Sequence, residues 1–442
     1  MLFVGLALLS IFLYIRGYKI SALTVFFFFI TTGFNLVPDE LVALKAPLTK
    51  NSDYAFFILL GFFTISSIFT RDFFKVDTFA LYLIAFFSFL FICILYNRFS
   101  LGIGWGEITR TVRYYFFWLA YFVFRSMSKE QLLDLFKIFF IVTVASSVLF
   151  LLQLVVNQNI LVEVNTSKSV VFGREFTRFY NQPSMLHFFI FMGIYYNPFK
   201  GKWKIMTTTI LILAFLGAFH RSHIGIFIVC LIIGFVLKLP KLKQIQIVAI
   251  GSFFIIFIAL FAGNRFSHSR TFIDLKKVAS GNVLDADIDV RDLKDATFTF
   301  RIAHFLERNE HILQKTSSVL FGGALLTEDS KMLDRFFDFK VGLIEELTGQ
   351  IVQVDTADIT YSLLVLRFGY LGSILFLILY LYLTVYFFKN KDNVFGHLSF
   401  LYMILSWGIS FFSTNLVTPI TYLLPIMSYL IIRKTNKLSA DT

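Results

Sequence analysis

Runs of apolar residues separated by short polar connectors make up most of the chain. About thirteen of these runs come close to the roughly 17 to 25 residues that a membrane-spanning helix needs. They cover residues 1–15, 20–37, 54–70, 78–96, 109–125, 132–156, 183–196, 205–219, 224–238, 245–262, 361–388, 398–412 and 419–432. This pattern predicts an all-α polytopic membrane protein with about 12–13 transmembrane helices.

One long polar stretch, residues 263–360, interrupts this pattern. Within it, residues 297–313 (TFTFRIAHFLERNEHIL) place apolar side chains at helical spacing between charged ones, which predicts an amphipathic helix lying on the membrane or capping the bundle. A glycine turn at 319–324 and a second polar helix over 329–347 are predicted to follow. Such a stretch can fold as a lid without being a separate domain, so residues 1–442 are predicted to form a single transmembrane domain.

Composition excludes an ordinary soluble domain. Of the 442 residues 57% are hydrophobic and 15% are charged, and the mean hydropathy is +0.76. A soluble domain could not bury so much apolar surface.

The formal net charge of +12 would suggest nucleic acid as a partner of a soluble protein. Here much of the positive charge lies in connectors between apolar runs, so membrane topology and anionic lipid explain it better. The basic connectors that fall on one side contain Arg16 and Lys19, Arg125 and Lys129, Lys200, Lys202 and Lys204, Lys238, Lys241 and Lys243, Lys389 and Lys391, and Arg433, Lys434 and Lys437. That side is predicted to be cytoplasmic, which makes the 263–360 loop extracytoplasmic.

Several familiar kinds of chemistry have no support in the sequence. The two cysteines, Cys93 and Cys230, lie in separate apolar runs, so neither a disulfide framework nor a thiolate metal site is predicted. The motifs for nucleotide, dinucleotide and zinc binding are missing. No metal and no cofactor are therefore expected.

Arginines on the predicted outer side are the main candidates for function. An arginine at membrane level is costly unless it meets an anion, and its guanidinium suits phosphate oxygens. These residues are Arg110, Arg113, Arg174, Arg178, Arg221 and Arg301. Binding of a lipid-linked diphosphate is one interpretation, and snorkelling or internal ion pairing is the other. For Arg110 and Arg113 both remain open, whereas the tight turn between His220 and His223 favours anion binding by Arg221.

Transfer of a sugar from a diphosphate would also need a base, and carboxylates or imidazoles can deprotonate a hydroxyl near neutral pH. Asp358 stands just before the apolar run that begins at Tyr361, on the same predicted side as the arginines. It is therefore the candidate base, although its position also suits a helix amino-terminal cap. The competing candidates are His220, His223, His304 and Glu175.

The order of these segments resembles the O-antigen polymerase and O-antigen ligase superfamily of bacterial membrane enzymes. The similar stretches are RFYNQPSMLHFFIFMG (178–193), HRSHIG (220–225), RIAHFLERNEHILQKTSSVLFG (301–322) and DITYSLLVLRFGYLG (358–372). Together they span mainly residues 174–372. Asp358 and Ile359 stand where the ligase branch usually has His-Asn, and Arg367 replaces a common acid. These departures favour a polymerase over a ligase.

The resemblance implies a glycosyltransferase-C-like fold in the bacterial cytoplasmic (inner) membrane, with the large loop periplasmic or extracellular. It also implies metal-independent transfer from an undecaprenyl-diphosphate-linked oligosaccharide, with inversion. Arg178, Arg221 and Arg301 would hold the diphosphate, and Asp358, Arg221 and Arg301 would be the catalytic residues. Further expected substrate contacts are Arg174, His220, His223, His304, Tyr361, Arg110 and Arg113.

The expected partners are the lipid-linked oligosaccharide and membrane lipid, with a polysaccharide chain-length regulator as a further candidate and no nucleic acid. Two alternative functions remain open at this point. One is an O-antigen ligase that transfers finished glycan to an acceptor such as lipid A core. The other is a flippase that transports the lipid-linked oligosaccharide.

Overall fold

A computed structural model describes residues 1–44, 48–70, 73–162, 166–171, 174–240, 242–243, 297–342, 350–354 and 359–440. The amino-terminal helices are α1 (Leu2–Ile15), α2 (Lys19–Ile30), α3 (Thr32–Asn35), α4 (Asp39–Val42), α5 (Asn51–Phe69) and α6 (Thr78–Phe99). Next come α7 (Trp105–Phe116), a 3₁₀ turn (Phe117–Leu119), α8 (Ala120–Arg125) and α9 (Lys129–Val156).

An antiparallel hairpin of β1 (Thr166–Val171) and β2 (Arg174–Phe179) follows, and then α10 (Leu186–Tyr195), α11 (Gly201–Gly217) and α12 (Arg221–Leu237). The later helices are α13 (Thr297–Leu313), α14 (Thr316–Phe321), α15 (Leu333–Phe336), α16 (Thr360–Lys389), α17 (Val394–Ile409) and α18 (Pro419–Ala440), with a 3₁₀ turn (Asn415–Val417) before α18. The prediction of a helical protein is confirmed, except that this hairpin forms a small sheet among the described residues.

Four of the described helices, α5, α6, α9 and α16, are long and apolar enough to cross a membrane. Shorter apolar helices also occur: α1, α2, α10, α12 and α17. Many large apolar side chains on these helices are exposed, including Phe91 and Ile374. Such a surface is consistent with a membrane protein, because lipid rather than water can cover it.

Polar contacts between helix ends are found at two ends of the bundle. At one end, Asn51 donates to Asp39, Leu325 N donates to Asn97 at 2.8 Å, and Thr360 Oγ1 donates to the carbonyl of Ser413 at 2.8 Å. We call this the loop end, because the segments after α13 pack there.

The opposite end is rich in basic residues and is called the basic end. There Lys19 donates to the carbonyl of Ser126 at 3.0 Å, and Arg433 and Arg125 both pair with Asp77. The basic connectors predicted from the sequence therefore do meet in space at the connectors between α1 and α2, α8 and α9, and after α18.

The amphipathic helix predicted over 297–313 forms as α13 over those residues. By contrast, the predicted helix over 329–347 is wrong, since among its described residues only Leu333–Phe336 is helical. Backbone amides that would continue a helix bind side-chain acceptors instead. Phe339 N donates to Gln353 Oε1 at 2.7 Å, and Lys340 N and Val341 N donate to the Glu307 carboxylate at 2.6 and 3.0 Å.

Two other apolar runs also depart from the expectation. The predicted span 109–125 is divided into α7 and α8 by the 3₁₀ turn, and α7 is amphipathic, with Arg110 exposed and Arg113 buried. The polar connector 157–182 between two apolar runs contains the β1–β2 hairpin. The predicted span 245–262 lies outside the described residues.

Helix α16 is broken at Gly369, whose φ of 61° and ψ of −168° are not helical. The break leaves carbonyl groups of the preceding turn without their helical donors. Gly323 N, which follows α14, donates to the Leu366 carbonyl at 2.8 Å. The loop is therefore joined to the broken helix by a backbone hydrogen bond beside Arg367.

Candidate functional site

Strand β2 and the turn between α11 and α12 bring Arg178 and His220 together. Arg178 Nη2 lies 3.1 Å from His220 Nδ1, and Arg178 Nε donates to the carbonyl of Ala218 at 3.2 Å. The guanidinium also lies over the Tyr180 ring, 4.6 Å from its centroid. These contacts fix the arginine side chain against the start of α12, so that it is oriented before any ligand binds.

Three imidazole rings continue this arrangement. The rings of His220 and His223 are stacked with centroids 4.6 Å apart, and the His187 ring lies 5.4 Å from that of His223. His223 follows His220 by three residues in the first turn of α12, while His187 comes from α10. We call Arg178, His187, His220, His223 and Arg301 the histidine–arginine cluster.

The protonation state of His220 follows from its arginine neighbour. A guanidinium only donates hydrogen bonds, so His220 Nδ1 must accept, and its proton is assigned to Nε2. Burial, together with the positive charge of Arg178, lowers the pKa of His220 from 6.5 to about 4. At neutral pH His220 is thus a neutral imidazole that offers an N–H donor at Nε2.

Arg301 reaches the same place from α13. Its guanidinium lies over the Phe412 ring, 5.1 Å from the centroid. Both Arg178 and Arg301 are close enough to His223 for their charges to act on that imidazole. The structure thereby brings Arg178, His220 and His223 into contact and places Arg301, on Phe412, at the same end of the bundle.

His304 and Tyr361 lie near this cluster, where α13 packs on α16. His304 Nδ1 is 2.8 Å from Ser362 Oγ, and burial together with the charge of Arg308 lowers the pKa of His304 to about 2. The Tyr361 hydroxyl donates to the carbonyl of Trp407 at 3.3 Å. Both side chains hold the loop end together, and His304 stays neutral at physiological pH.

Three other predicted site residues are not part of the histidine–arginine cluster. Arg221 is exposed at the start of α12 and makes no hydrogen bond or ion pair with the described residues. The side chain of Arg174 and the whole of Asp358, the predicted base, lie outside the described residues. The structure therefore gives no placement of the base.

Arg110 and Arg113 line a different feature, a cavity of about 750 Å³ at the loop end. Among the described residues that line it, the other cationic side chains are Lys50 and Arg367, and the carboxylate is Asp329. We call it the cationic cavity. Arg113 forms a buried ion pair with Asp53, and Arg110 lies 3.9 Å from Glu107, so internal ion pairing explains part of the role of both arginines.

Sequence reasoning missed several of these residues. It noted Arg367 only as a departure from a family pattern, and it did not select Lys50, Tyr180 or His187. Residues such as Lys50 and Arg367 are far apart in sequence, and their shared cavity depends on how α5 and α16 pack. The aromatic residue two positions after Arg178 was the one local signal, because arginines often stack on aromatic rings.

The arrangement can bind anions and donate hydrogen bonds, and at neutral pH it carries fixed positive charge beside neutral imidazoles. Among the described residues no group of three or more His, Cys, Asp or Glu side chains is placed to hold a metal ion. The fold and site thus define a helical protein of membrane character with cationic sites at one end. No family model matches the chain, and no curated protein is significantly similar to it in sequence.

Proposed function

We propose that this protein is a membrane glycosyltransferase that polymerises lipid-linked oligosaccharide repeat units on the outer face of the cytoplasmic membrane. A hydroxyl of the acceptor unit attacks the anomeric carbon of the donor glycan. The bond from that carbon to the undecaprenyl diphosphate breaks, and the acceptor proton goes to a base. The thirteen-span topology, the glycosyltransferase-C-like fold and the outward position of the loop are parts of the same proposal.

The observation that carries the proposal is the contact of Arg178 with His220 at the end of the bundle that Arg301 also reaches. The two arginines come from β2 and α13, and both are oriented by aromatic rings, those of Tyr180 and Phe412. Two guanidinium groups at the same end of an apolar helix bundle suit a ligand with a diphosphate head and a hydrocarbon tail. The similarity of residues 174–372 to the polymerase and ligase superfamily points to the same ligand.

In this proposal Arg178 and Arg301 hold the diphosphate and stabilise the charge that develops on it as the sugar leaves. His220 donates from Nε2 to an oxygen of the donor. Arg221, exposed at the rim, attracts the charged head group on its way in. Asp358 remains the proposed base. His220 does not compete for this role, since its Nδ1 accepts from Arg178 and its Nε2 carries the proton.

Elongation of a synthetic lipid-linked repeat unit by the purified protein in proteoliposomes tests the proposal. The wild-type protein should yield a ladder of products, and Arg178→Ala and Arg301→Ala should each reduce the rate by about a hundredfold or more, as for loss of a group that stabilises transition-state charge. Arg335→Ala is the matched control. It removes a positive charge from an exposed site in α15 and should leave the ladder unchanged. A full-length ladder from both variants would contradict the proposal.

A strain that lacks this protein distinguishes a polymerase from a ligase. Loss of a polymerase leaves single repeat units, whereas loss of a ligase leaves long polymer on the carrier lipid. A flippase would move the lipid-linked unit across the proteoliposome bilayer without lengthening it. Transporters place charged residues near the bilayer midplane, while the arginines described above lie at one end of the bundle.

A further inference from the structure

The cationic cavity lies beside the histidine–arginine cluster and is separate from it. The two features share helix α16 and the turn from α17 to α18. His304 contacts Ser362 and Arg301 contacts Phe412 on the cluster side. On the cavity side, Leu363 and Arg367 of α16 line the cavity. From the turn between α17 and α18, the lining residues are Thr414, Val417 and Thr418.

We infer that the cationic cavity is a second binding site for a diphosphate group, distinct from the one formed by Arg178 and Arg301. Among the described residues, four cationic side chains and one carboxylate, that of Asp329, line it. Asp53 and Glu107 stand behind Arg113 and Arg110 and reduce the local excess of positive charge. Two further cationic side chains come from other segments: Lys50 directly precedes α5, and Arg367 lies on α16.

Two of the arginines that line the cavity are buried. The residues Arg113 and Arg367 are each only 7% exposed. Arg113 donates from Nη1 to Asp53 and from Nη2 to the Tyr114 hydroxyl at 3.3 Å. Its buried Nε has no hydrogen-bond partner among the described residues. Burial of so much guanidinium in one cavity fits a ligand that carries more than one negative charge.

The helix ends around the cavity favour the same class of ligand. Pro419 begins α18, a helix of 22 residues, and Thr418 precedes it. The amino terminus of a helix carries a partial positive charge that attracts phosphate groups. Five threonines also line the cavity: Thr49, Thr111, Thr327, Thr414 and Thr418. The hydroxyls of all but Thr414 donate to other described groups, so the Thr414 hydroxyl is the lining group of this kind that can donate to a phosphate or sugar oxygen.

The loop forms part of the wall of this cavity. Thr327 Oγ1 donates to Glu107 at 3.1 Å, and Leu325 N donates to Asn97 at 2.8 Å. These contacts tie the residues after Gly323 to α6 and α7. The volume of about 750 Å³ exceeds the size of a diphosphate and falls in the range of about 300–1,000 Å³ that holds a drug-sized ligand, so the adjoining sugar has room as well.

This inference rests on the proposed function, which needs two diphosphate-bearing lipids at once: the donor and the acceptor. If the histidine–arginine cluster holds the diphosphate of one, the cationic cavity holds that of the other. The two sites lie at the same end of the bundle, where Arg301 contacts Phe412 and the nearby Thr414 lines the cavity.

Binding titrations on the full-length protein in detergent test the inference with two probes, inorganic pyrophosphate and farnesyl diphosphate. The double variant Lys50→Gln/Arg110→Gln changes two exposed side chains and should fold normally. It should lose one of two binding sites, with affinity at that site reduced by about tenfold or more. Arg178→Ala should weaken the other site only, and Arg335→Gln should weaken neither.

Tighter binding of farnesyl diphosphate than of pyrophosphate would mean that a lipid supplies the diphosphate, and equal binding would mean that the head group alone is recognised. Both results support the site. A single site that responds to Arg178→Ala and not to the Lys50→Gln/Arg110→Gln variant overturns the inference. Arg367→Gln provides a second variant from a different helix, with the same expected loss.

The binding and elongation assays together distinguish failure of the proposed function from failure of the cavity assignment. If two diphosphate sites are found but no ladder forms in proteoliposomes, the proposed function fails and the cavity assignment stands. If a ladder forms but the cavity variants bind and elongate as the wild type does, the cavity assignment fails alone.

Discussion

Gly323 and Leu366 are joined by a backbone hydrogen bond of 2.8 Å between the loop and the broken helix α16. The bond depends on Gly369, three residues further on, where the helix departs from α geometry. It also depends on Gly322, whose φ is +83° and whose missing side chain leaves room for the backbone of Arg367. The loop wall of the cationic cavity and the position of Arg367 are therefore fixed by the same pair of glycines.

Gly369→Ala should destabilise this junction. Its φ of +61° disfavours any side chain, and a Cβ there would overlap the carbonyl oxygens of Val319 and Ser318. The expected cost is about 1–3 kcal/mol from backbone strain, with a further loss from the overlap. Thermal unfolding in detergent should show a lower midpoint, and limited proteolysis should cut the 322–342 segment faster.

Two glycines of the same region serve as controls. Gly106→Ala meets no atom within 4 Å and lies within α7, so its midpoint should be unchanged or slightly higher. Gly102 has a φ of +73°, but a Cβ added there would meet no atom within 4 Å. Gly102→Ala therefore measures the cost of backbone strain without that of steric overlap. Equal midpoints for Gly369→Ala and Gly106→Ala would contradict the role given to the junction.

Arg178→Ala should raise the pKa of His220. Burial is the larger cause of the low pKa, about 4, and the positive charge of Arg178 is the second. Removing that charge makes protonation of the imidazole easier, so the pKa should move towards 6.5 without reaching it. NMR titration of selectively labelled histidine, assigned with His220→Gln, measures the shift. An unchanged His220 titration in Arg178→Ala would show that the two groups do not interact.

The protein should lose stability as the pH falls from about 6.5 to about 4. Burial lowers the pKa of both His220 and His304, to about 4 and about 2 respectively. In this range the unfolded chain takes up protons that the folded chain does not, so the free energy of unfolding falls with pH. The stability from these groups is complete above pH 6.5.

His304→Asn should reduce that acid sensitivity, because asparagine can replace the Nδ1 contact to Ser362 without binding a proton. The measurement is the thermal midpoint at pH 7.5 and at pH 5.0. The difference between the two midpoints should be smaller in the variant than in the wild type. Burial also lowers the pKa of the half-buried His311, so His311→Asn should narrow the difference as well. An unchanged difference in His304→Asn would contradict the prediction.

Asp53→Asn should destabilise the protein by about 3–5 kcal/mol, since it leaves the buried Arg113 without its counter-charge. Asp53 also accepts hydrogen bonds from Thr49 N and Lys50 N at the start of α5, at 2.9 and 2.8 Å. The double variant Asp53→Asn/Arg113→Met should recover part of the loss. A double-mutant cycle on the unfolding midpoints measures the coupling, and purely additive losses would rule out the pair as a unit.

Cysteine labelling should place the two ends of the bundle on opposite sides of the membrane. Arg335→Cys lies at the loop end and Asp392→Cys at the connector between α16 and α17, and both positions are exposed. The natural residues Cys93 and Cys230 are buried, so they give little background. A membrane-impermeant maleimide should label Arg335→Cys in intact cells and Asp392→Cys only after permeabilisation. The reverse pattern would invert the proposed topology.

The apolar pattern predicted most of the helices. The run 361–388 corresponds to α16, and 297–313 corresponds to α13, because helix periodicity and apolar length are local properties of the sequence. The helix expected over 329–347 failed for a non-local reason. The Glu307 carboxylate and the Gln353 side chain capture the amides of Phe339, Lys340 and Val341, and Glu307 lies more than thirty residues earlier in the chain.

The candidate site was predicted only in part. Arg178, His220, His223 and Arg301 were each chosen from the sequence, and the structure places them at the same end of the bundle. The sequence treated Arg110 and Arg113 as part of the same group, whereas the fold places them in the cationic cavity with Lys50 and Arg367. Which arginines share a site depends on the packing of α7 and α16, and no pattern within either helix contains that information.

The sequence by itself determined the class of molecule: a helical chain too apolar for water, with basic connectors and a set of arginines, and one long polar segment. These properties depend on composition and on local patterns of residues, so they do not depend on the tertiary structure. The tertiary structure decided that Arg178 holds one nitrogen of His220, that Gly369 breaks α16 where the loop docks, and that the cations divide between two sites. These outcomes depend on distances between segments far apart in sequence, which only the packing of the helices sets.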